Sequence, residues 1–455
     1  MRRLMMSTTA PSRWLGFVTG VAALGGFLFG YDTAVIAGAI GALRDHFHLT
    51  AAQEGWAGAS AIYGCLPGAL AAGFLADRFG RKRLLVVCAV LYAGSGLWSA
   101  VATTFPNFLA SRLAGGLAIG ISSMVCPTYI AEISPERRRG FLGTLFQFGI
   151  VVGIFLVFFV NQQIQAQGNV VWNTSVGWRW MLGSESIPAI VFLGLLGWIP
   201  ESPRWLALRG ESAAAEAVLA KVAGTAEAPR ELASILAAGA GGQAPFSALF
   251  SPAQRRPLTI AVGLAVLSQA SGINAIMYYA PEVFKSAGAS TNAAFASSVW
   301  VGAVNLAFTL VALALIDRVG RRPLLLVGAA VQTVALALVG VSFRAAAPGP
   351  GTLIAVLVYI AAFAVAMGPI PWVLISEIFP GSIRGRAVAV GVGAIWAACL
   401  AVAQSFPVLN ERLGPSVTFW IYAGCSLLSL LFVLALVPET RGRRLEDIAA
   451  SWSAR

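Results

Sequence analysis

The feature that most constrains this chain is a short charged loop that occurs twice, once in each of two long apolar halves. Segment 77–81 (DRFGR) recurs as segment 317–321 (DRVGR), about 240 residues further along. Two more pairs recur at nearly the same spacing: residues 129–140 with 375–385, and 200–204 with 438–441. Matched pairs at one spacing indicate an internal duplication, and duplicated apolar halves are typical of secondary transporters.

The composition predicts a chain that lies mostly in a membrane. Hydrophobic residues make up 58% of the 455 residues and charged residues 11%, whereas soluble domains carry about 25% charged residues. Many stretches of about 20 residues without a charge are long enough to cross a hydrocarbon core of about 30 Å. Because no water is available there to bond the backbone, these stretches must be helices. We therefore expect an all-α membrane protein.

We predict twelve transmembrane helices, six before the longest polar stretch and six after it. The predicted spans are residues 14–40, 54–75, 84–103, 107–131, 141–163, 178–199, 257–286, 294–316, 323–343, 351–379, 385–409 and 415–437. The corresponding units are an N-terminal six-helix bundle (1–199), a cytoplasmic linker with short helices (200–256), a C-terminal six-helix bundle (257–437) and a cytoplasmic tail (438–455).

The distribution of basic residues predicts the orientation. With the N-terminus inside, most of the 31 Lys and Arg residues fall in cytoplasmic segments, and the outer segments contain only Arg44, Lys285, Arg344 and Arg412. This is the positive-inside pattern, and it places both termini in the cytoplasm. The pattern also accounts for the net charge of +12. We therefore expect contact with membrane lipid and no nucleic-acid binding.

The sequence does not contain the residue patterns that several kinds of chemistry require. No G-x-x-x-x-G-K-[ST] loop is present, so ATP does not drive the protein directly unless a separate subunit supplies it. The five cysteines lie in predicted spans without a C-x-x-C pair, which favours packing over a disulfide or metal role. No nucleophile–base pair is evident. We expect neither an enzyme nor a bound metal or cofactor.

Three charged residues lie within predicted spans, where charge is costly and therefore informative. They are Asp32 in the first span, Arg112 in the fourth and Glu185 in the sixth. Burial favours the neutral form of a carboxylic acid and a neighbouring guanidinium favours the carboxylate, so Asp32 could bind and release a proton. The alternative is a permanent Asp32–Arg112 ion pair that only fixes packing. Glu185 could likewise compete for Arg112 or form a static pair with it.

A set of amide and aromatic residues in the spans is suited to a sugar. Amides both donate and accept hydrogen bonds, and aromatic faces cover the C–H surfaces of a pyranose. The candidates are Gln147, Gln269, Asn274, Tyr278, Asn305, Trp372 and Trp396. Gln269 and Asn274 would lie about 140° apart on an ideal helix, so we expect Ser271-Gly272 to unwind it. A second break is expected at 368–372. For each amide, a bond between helices is the alternative.

The charged loops could form a network that closes the cytoplasmic face. The candidates are Asp77, Arg78, Arg81, Glu132, Arg139, Glu201, Asp317, Arg318, Glu377, Arg384 and Glu439. Ion pairs across this rim would lock the inner face while the cavity opens outward, and would break on switching. The alternative is a set of solvated loops that only set topology, because exposed pairs contribute about 0–1 kcal/mol each.

Taken together, the motifs resemble those of the sugar porter family of the major facilitator superfamily over nearly the whole chain. They include the repeated D-R-x-G-R, G-Y-D ending at Asp32, R-x-x-G-G from Arg112, P-E-S-P-R from Pro200 and Q-x-S-G-I-N from Gln269. Segments 177–188 and 278–285 are similar to those of bacterial xylose–proton symporters. The resemblance implies two pseudo-symmetric six-helix bundles around a central sugar site.

The resemblance also implies residue roles. Asp32 would be the proton carrier, with Arg112 and Glu185 nearby; facilitative relatives have an uncharged residue at this position. The sugar-contacting positions would be Gln147, Gln269, Asn274, Trp372 and Trp396, with Phe29, Tyr278, Asn305 and Gly368 near them. Amides common in the family are replaced here by Ser268, Ile395 and Cys399. The identity of the sugar is therefore left open.

The predicted function is a proton-coupled monosaccharide symporter for pentose or hexose uptake that works by alternating access in the cytoplasmic membrane. Its partners would be the sugar, the proton as coupling ion and membrane lipid, and we expect it to function as a monomer. Two alternatives remain. One is a facilitative sugar uniporter of the same fold, and the other is a sugar-sensing membrane receptor that signals through its linker and tail.

Overall fold

The computed structural model describes residues 13–135, 138–239, 245–345, 349–381 and 383–441, and within these ranges it contains helices and turns but no strand. The predicted all-α fold class is confirmed. Residues 442–455, which make up most of the predicted cytoplasmic tail, lie outside the described residues.

The first half of the chain forms five long helices and a sixth span made of shorter pieces. The helices are α1 (Arg13–Phe47), α2 (Ala51–Phe79), α3 (Arg81–Val101), α4 (Phe105–Ile133), α5 (Arg139–Gln165), α6 (Val170–Trp172), α7 (Trp178–Gly183) and α8 (Ser186–Leu196). A π-helical turn, Asn173–Gly177, joins α6 to α7. The predicted linker contains three short helices, as expected: α9 (Pro203–Leu208), α10 (Ser212–Ala223) and α11 (Ala228–Gly239).

The second half repeats this plan with two broken spans. Its helices are α12 (Arg255–Ala270), α13 (Ile273–Ser286), α14 (Thr291–Val319), α15 (Arg321–Arg344), α16 (Pro350–Val365), α17 (Ile370–Glu377) and α18 (Arg384–Leu436). Helices α12 and α13 form one broken span, and α16 and α17 form the other. Both breaks lie where the sequence predicts them, at Ser271-Gly272 and next to 368–372.

These helices account for the predicted number of spans. Within the described residues, 11 helical segments are long and apolar enough to cross a membrane. The longest, α18, has 53 residues and would be about 80 Å long, more than twice the hydrocarbon thickness. It changes direction at Gly414, whose φ of 79° is not helical, so α18 contains the last two predicted spans. The unit boundaries at residues 199, 256 and 437 stay a prediction.

The repeated glycine of the D-R-x-G-R loop makes the same turn in both halves. Gly80, between α2 and α3, has a φ of 97°, and Gly320, between α14 and α15, has a φ of 105°. Side chains other than hydrogen are strained at such angles. A Cβ atom would also press on a carboxylate, that of Glu201 at Gly80 and that of Glu439 at Gly320. The glycine therefore makes the turn and also leaves room for an acid from another repeated motif.

The main contacts between the two halves are those of α1 with α13, α2 with α18, and α5 with α14. We call the end of the bundle that carries the repeated loops 77–81 and 317–321 the inner rim, and the opposite end the outer end. At the outer end, polar side chains join the halves directly. Tyr63 donates a hydrogen bond to Gln404 at 2.6 Å, and Gln165 donates one to Asn292 at 3.1 Å. The outer end is therefore closed in this structure.

Candidate functional site: a buried charge cluster beside a polar, aromatic cavity

The three charged residues predicted to lie within spans meet at one point in the first half. Asp32 is in the middle of α1, Arg112 lies in α4, and Glu185 is at the step between α7 and α8. Asp32 and Glu185 are 0% exposed and Arg112 is 1% exposed. Arg112 Nη1 is paired with Asp32 Oδ1 and lies 3.8 Å from Glu185 Oε2, while Nη2 donates a hydrogen bond of 3.0 Å to the Asp32 carbonyl.

The charges of this cluster do not balance when both acids are ionised. One guanidinium then faces two carboxylates, which leaves an uncompensated negative charge buried away from bulk solvent, and that is costly. Oxygens of both acids face the same guanidinium nitrogen. One proton on either acid would bring the net charge to zero. That the cluster carries the coupling proton stays a prediction.

Small residues around the cluster fix its geometry. A Cβ atom at Gly115, one turn after Arg112, would lie 2.8 Å from Asp32 Oδ2 and 2.5 Å from Ser95 Oγ. The glycine of the R-x-x-G motif thus makes room for the aspartate. Tyr31 is hydrogen-bonded to Ser184 at 2.8 Å, which ties α1 to the residue before Glu185. No role was predicted for Ser184 or Ser95 from the sequence. Only the charged residues of the cluster indicated that this region is important.

The two amides of the seventh span come together at the predicted break. Gly272, in the left-handed region with a φ of 86°, ends α12 and allows α13 to begin in a new direction. Asn274 Nδ2 then donates a hydrogen bond of 2.6 Å to Gln269 Oε1, and Gln269 Nε2 donates one of 3.1 Å to Ser268. Tyr359 holds the break by donating to the Ser271 carbonyl at 3.0 Å.

Aromatic residues from both halves stand next to these amides. The rings of Phe29 in α1 and Trp396 in α18 are 5.8 Å apart and bring the two halves together. Trp396 Nε1 is buried and has no hydrogen-bond partner among the described residues, so it is available to a polar ligand. Tyr278 is buried one turn after Asn274, with its hydroxyl 3.7 Å from the sulfur of Cys399.

A cavity of about 10 Å³, the size of a single water molecule, lies between the charge cluster and these aromatic residues. Arg112 and Thr33 line it from the first half, and Tyr278 and Trp396 line it from the second. The cavity is too small for a sugar, so only a water-sized gap separates the guanidinium that pairs with Asp32 from the indole and the phenol.

The remaining sugar candidates are spread around the centre. Gln147 is half-buried on α5, Asn305 is buried on α14, Gly368 lies in the break between α16 and α17, and Trp372 on α17 is 38% exposed. In the part of the chain that the structure describes, none of them is hydrogen-bonded to Gln269 or Asn274. Their contact with a ligand stays a prediction.

The inner rim has one acid–arginine cluster in each half. In the first half, Arg81 pairs with Glu132 at 3.0 Å and with Asp77 at 3.1 Å, and Ser202 donates to Glu132 at 2.6 Å. Glu201 accepts hydrogen bonds from the backbone N–H of Arg81 at 2.9 Å and of the next residue at 3.0 Å. This cluster ties α2, α3 and α4 to the start of the linker.

The second cluster repeats the first. Arg321 pairs with Glu377 at 3.0 Å and with Asp317 at 3.1 Å, and Thr440 donates to Glu377 at 2.7 Å. Glu439 takes the place of Glu201 and accepts from the backbone N–H groups of Arg321 and Arg322, both at 3.1 Å. Burial raises the pKa of Glu439, but these donors and those of residues 440 and 441 outweigh it, so the pKa lies below its usual value.

The inner rim differs from the predicted network in which arginines pair with the acids, and in that the pairs do not cross from one half to the other. The ion pairs are made by Arg81 and Arg321 rather than by Arg78 and Arg318, and each stays within its own half. Arg384 donates to the carbonyl of Phe379 instead of to an acid. Arg139 begins α5. Arg321 was missing from the predicted set, although its match with Arg81 in the repeat was the signal that could have found it.

Comparison with known proteins identifies the class. The model of the family described as sugar (and other) transporter matches residues 18–452. The arabinose-proton symporter of Bacillus subtilis (strain 168) is 40% identical over 448 residues, covering 97% of this chain and 96% of the relative. The D-xylose-proton symporter of Escherichia coli (strain K12) is 39% identical over 484 residues, covering 98% of this chain and 97% of the relative.

Solved structures agree with this result. The inward open conformation of the xylose transporter XylE from E. coli has a TM-score of 0.87 at 37% identity and covers 96% of this chain and 100% of the solved chain. The same transporter bound to 6-bromo-6-deoxy-D-glucose has a TM-score of 0.81. This chain belongs to the sugar (and other) transporter family. It is a multi-pass membrane transporter of the major facilitator fold and not an enzyme, and the resemblance seen in the sequence is confirmed.

Proposed function

We propose that this protein is a proton-coupled monosaccharide symporter of the cytoplasmic membrane, with both termini inside. The observation that carries the proposal is the buried cluster of Asp32, Arg112 and Glu185, which only a water-sized cavity separates from Tyr278 and Trp396. A solute that contacts these two aromatic residues lies near the partner of a buried acid. The protein works as a monomer in contact with lipid and uses no cofactor other than the coupling proton.

The proton is carried by Asp32. In the structure Asp32 is paired with Arg112, and Glu185 is within 4 Å of the same guanidinium nitrogen. When Arg112 turns toward Glu185, Asp32 loses its partner and takes up a proton, because a buried carboxylate without a cation is costly. When Arg112 returns, the proton leaves. Glu185 thus serves as the alternative partner of the arginine.

The sugar is held between the halves, mainly by the second. Gln269 and Asn274 offer hydrogen bonds to adjacent hydroxyl groups, Trp396 offers its indole N–H, and Phe29 covers the apolar face of the ring. A pentose or a hexose fits this chemistry, and the relatives named for arabinose and xylose support a pentose as the first substrate to test. Because Ser268, Ile395 and Cys399 replace amides, fewer hydroxyl groups are bonded than in a site with all of them.

Coupling follows from the position of the charge cluster next to the interface between the halves. A sugar bound between the halves favours their closure over it. When Asp32 is protonated and neutral, the buried cluster carries no net charge, so closing the halves around it costs less free energy. Sugar and proton therefore cross together, and a proton gradient drives accumulation.

The test is uptake of labelled arabinose, xylose, galactose and glucose into proteoliposomes with and without an imposed pH gradient. We expect at least one of these sugars to accumulate above equilibrium when the outside is acidic. Asp32→Asn should abolish this accumulation yet keep exchange of sugar at equal concentrations. The matched control is Glu216→Gln, which removes the charge of an exposed acid on the linker helix α10. If Asp32→Asn accumulates sugar like the unmodified protein, the protein is a uniporter or its proton carrier lies elsewhere.

A further inference from the structure

The halves share an ion-pair cluster at the outer end that the coupling mechanism above does not use. Arg44, in the last turn of α1, reaches across to Glu282 of α13 with an Nη1–Oε2 distance of 3.1 Å. The same nitrogen lies 3.9 Å from Oε2 of Glu54, in the first turn of α2. Glu282 is also paired with Lys285 of its own helix at 2.8 Å.

We propose that Arg44 and Glu282 form an outer latch, which holds the outer end closed while the sugar site faces the inner rim and opens when the site turns outward. The proposal rests on alternating access between the two halves. It assigns Arg44 as a positioning residue, one that sets the balance between the two states without touching sugar or proton.

The fit of this pair is built into the backbone. Arg44 extends from α1 one turn after Gly41, and a Cβ atom at Gly41 would lie 2.9 Å from Cδ of Glu282. A side chain at this position would push the carboxylate of Glu282 away from Arg44, so the glycine leaves room for the pair. The side chains of Glu282 and Glu54 are 16% and 11% exposed, whereas that of Arg44 is 39% exposed and also contacts Asp45 at 3.2 Å, so water screens the cluster in part.

The charges make the cluster sensitive to a single residue. Glu54 belongs to the first half and Glu282 to the second, and oxygens of both contact the same nitrogen of Arg44. With the guanidinium present, the two halves attract each other here. Without it, two carboxylates from opposite halves face each other and repel. Removing Arg44 therefore deletes the cross-half attraction and leaves Glu54 and Glu282 facing each other with only Lys285 of the second half as a counter-charge, whereas removing Glu282 only deletes the attraction.

The conformation of the molecule agrees with the proposed role of the Arg44–Glu282 pair. The outer end is closed in the structure that contains the latch, and the chain matches inward open XylE with a TM-score of 0.87. At the inner rim, by contrast, the pairs made by Arg81 and Arg321 stay within one half. The latch is thus a cross-half ion pair at the end that is closed.

The experiment measures how often the outer end opens. Ala403 is 0% exposed, and its carbonyl accepts a hydrogen bond of 3.0 Å from Tyr279 where α18 faces α2. A cysteine introduced as Ala403→Cys is a reporter that a membrane-impermeant maleimide, added outside, reaches only after the halves separate there. The same protein without the reporter gives the baseline from the five native cysteines.

We expect Arg44→Ala to raise the labelling rate about tenfold, within the range of typical coupling between two states. Glu282→Gln should raise it less, and Arg44→Lys less still. The exchanged pair Arg44→Glu with Glu282→Arg should return labelling close to the original rate, because the arginine introduced on α13 would then face two acids of the first half. Arg412→Ala, an exposed arginine outside the cluster, is the matched control and should change nothing.

Unchanged labelling in both Arg44→Ala and Glu282→Gln would overturn the latch. The latch would also be overturned if Arg44→Glu alone and Glu282→Arg alone each raised the labelling rate but the exchanged pair did not bring it back down. A general loss of folding is recognised because it would not be repaired by the exchange. The labelling assay needs neither sugar nor a proton gradient, so its result remains a test of the latch even if the protein proves not to be coupled to protons. Intact coupled uptake with unchanged labelling would reject the latch alone.

Discussion

The inner rim and the centre of the membrane show opposite outcomes of the same duplication. At the inner rim the halves are alike: Arg81 and Arg321 each bind two acids, and Glu201 and Glu439 each accept from the backbone after the repeated glycine. At the centre they differ. The first half holds the charge cluster around Arg112, whereas the second holds the broken helix with its amides.

This difference indicates a division of labour. The repeated residues lie where both halves make the same turn between two helices, and the unrepeated residues lie at the centre. On the proposed function, the first half binds the proton and the second provides most of the sugar contacts. The predictions below test whether the repeated and the unrepeated regions behave as this division requires.

The largest effect is expected from Arg112→Met. It leaves Asp32 and Glu185 without their cation in a site that excludes water, which should destabilise the protein by about 3–5 kcal/mol. Thermal unfolding in detergent measures this effect. The triple variant with Asp32→Asn and Glu185→Gln should regain much of the stability, since no buried charge remains. A triple variant less stable than Arg112→Met would show that the cluster is held by packing rather than by charge.

At the inner rim, Arg81→Ala and Arg321→Ala should affect transport by similar factors, because each removes the same contacts from its own half. We expect both to slow sugar exchange about tenfold, by loosening the ends of the helices that move together. Arg78→Ala and Arg318→Ala are the controls and should change exchange little. If one of the two arginines matters far more than the other, the rim is not functionally repeated.

At the centre, Trp396→Phe should weaken sugar binding by about fivefold, the loss of roughly one neutral hydrogen bond of about 1 kcal/mol. An aromatic ring remains at this position to pack against Phe29. Binding is measured by calorimetry or by protection from unfolding, and the pH dependence of binding should stay as it is in the unmodified protein. A change in that pH dependence with unchanged affinity would place the indole in the proton path instead.

The smallest effect is expected from Glu439. Its pKa lies below the usual value, so its carboxylate stabilises the folded protein above the ordinary pKa of a glutamate, and this contribution is lost as the pH falls through the lowered value. Because Glu439 is only partly buried and water screens its charge, the contribution is below about 1 kcal/mol. Glu439→Gln should lower the unfolding temperature slightly at pH 7 and not at all under strongly acidic conditions. An equal decrease at both pH values would point to lost packing.

The sequence was sufficient for the fold because a bilayer allows few alternatives: apolar runs of this length must be helices. The orientation of these helices in the membrane stays a prediction. The sequence also indicated the cluster around Arg112, since isolated charges in a membrane need partners. The contact between Gln269 and Asn274 followed from the glycine between them.

Other contacts could not be predicted from the sequence around each residue. Arg44 and Glu282 are far apart in the chain and belong to no repeated motif, so only the packing of α1 against α13 brings them together. The choice of Arg81 over Arg78 as the partner of Glu132 depends on the direction of the turn at Gly80, and that direction is set by the glycine's φ. Such side-chain choices follow from tertiary geometry and not from residue type.

The most direct measurement of coupling is the electrical current that sugar evokes in proteoliposomes adsorbed on a solid-supported membrane. Addition of a transported sugar should move positive charge inward in the unmodified protein, and the current should vanish in Asp32→Asn while that variant still binds the sugar. Sugar entry without any charge movement, or a full current in Asp32→Asn, would contradict the assignment of the proton to this buried acid.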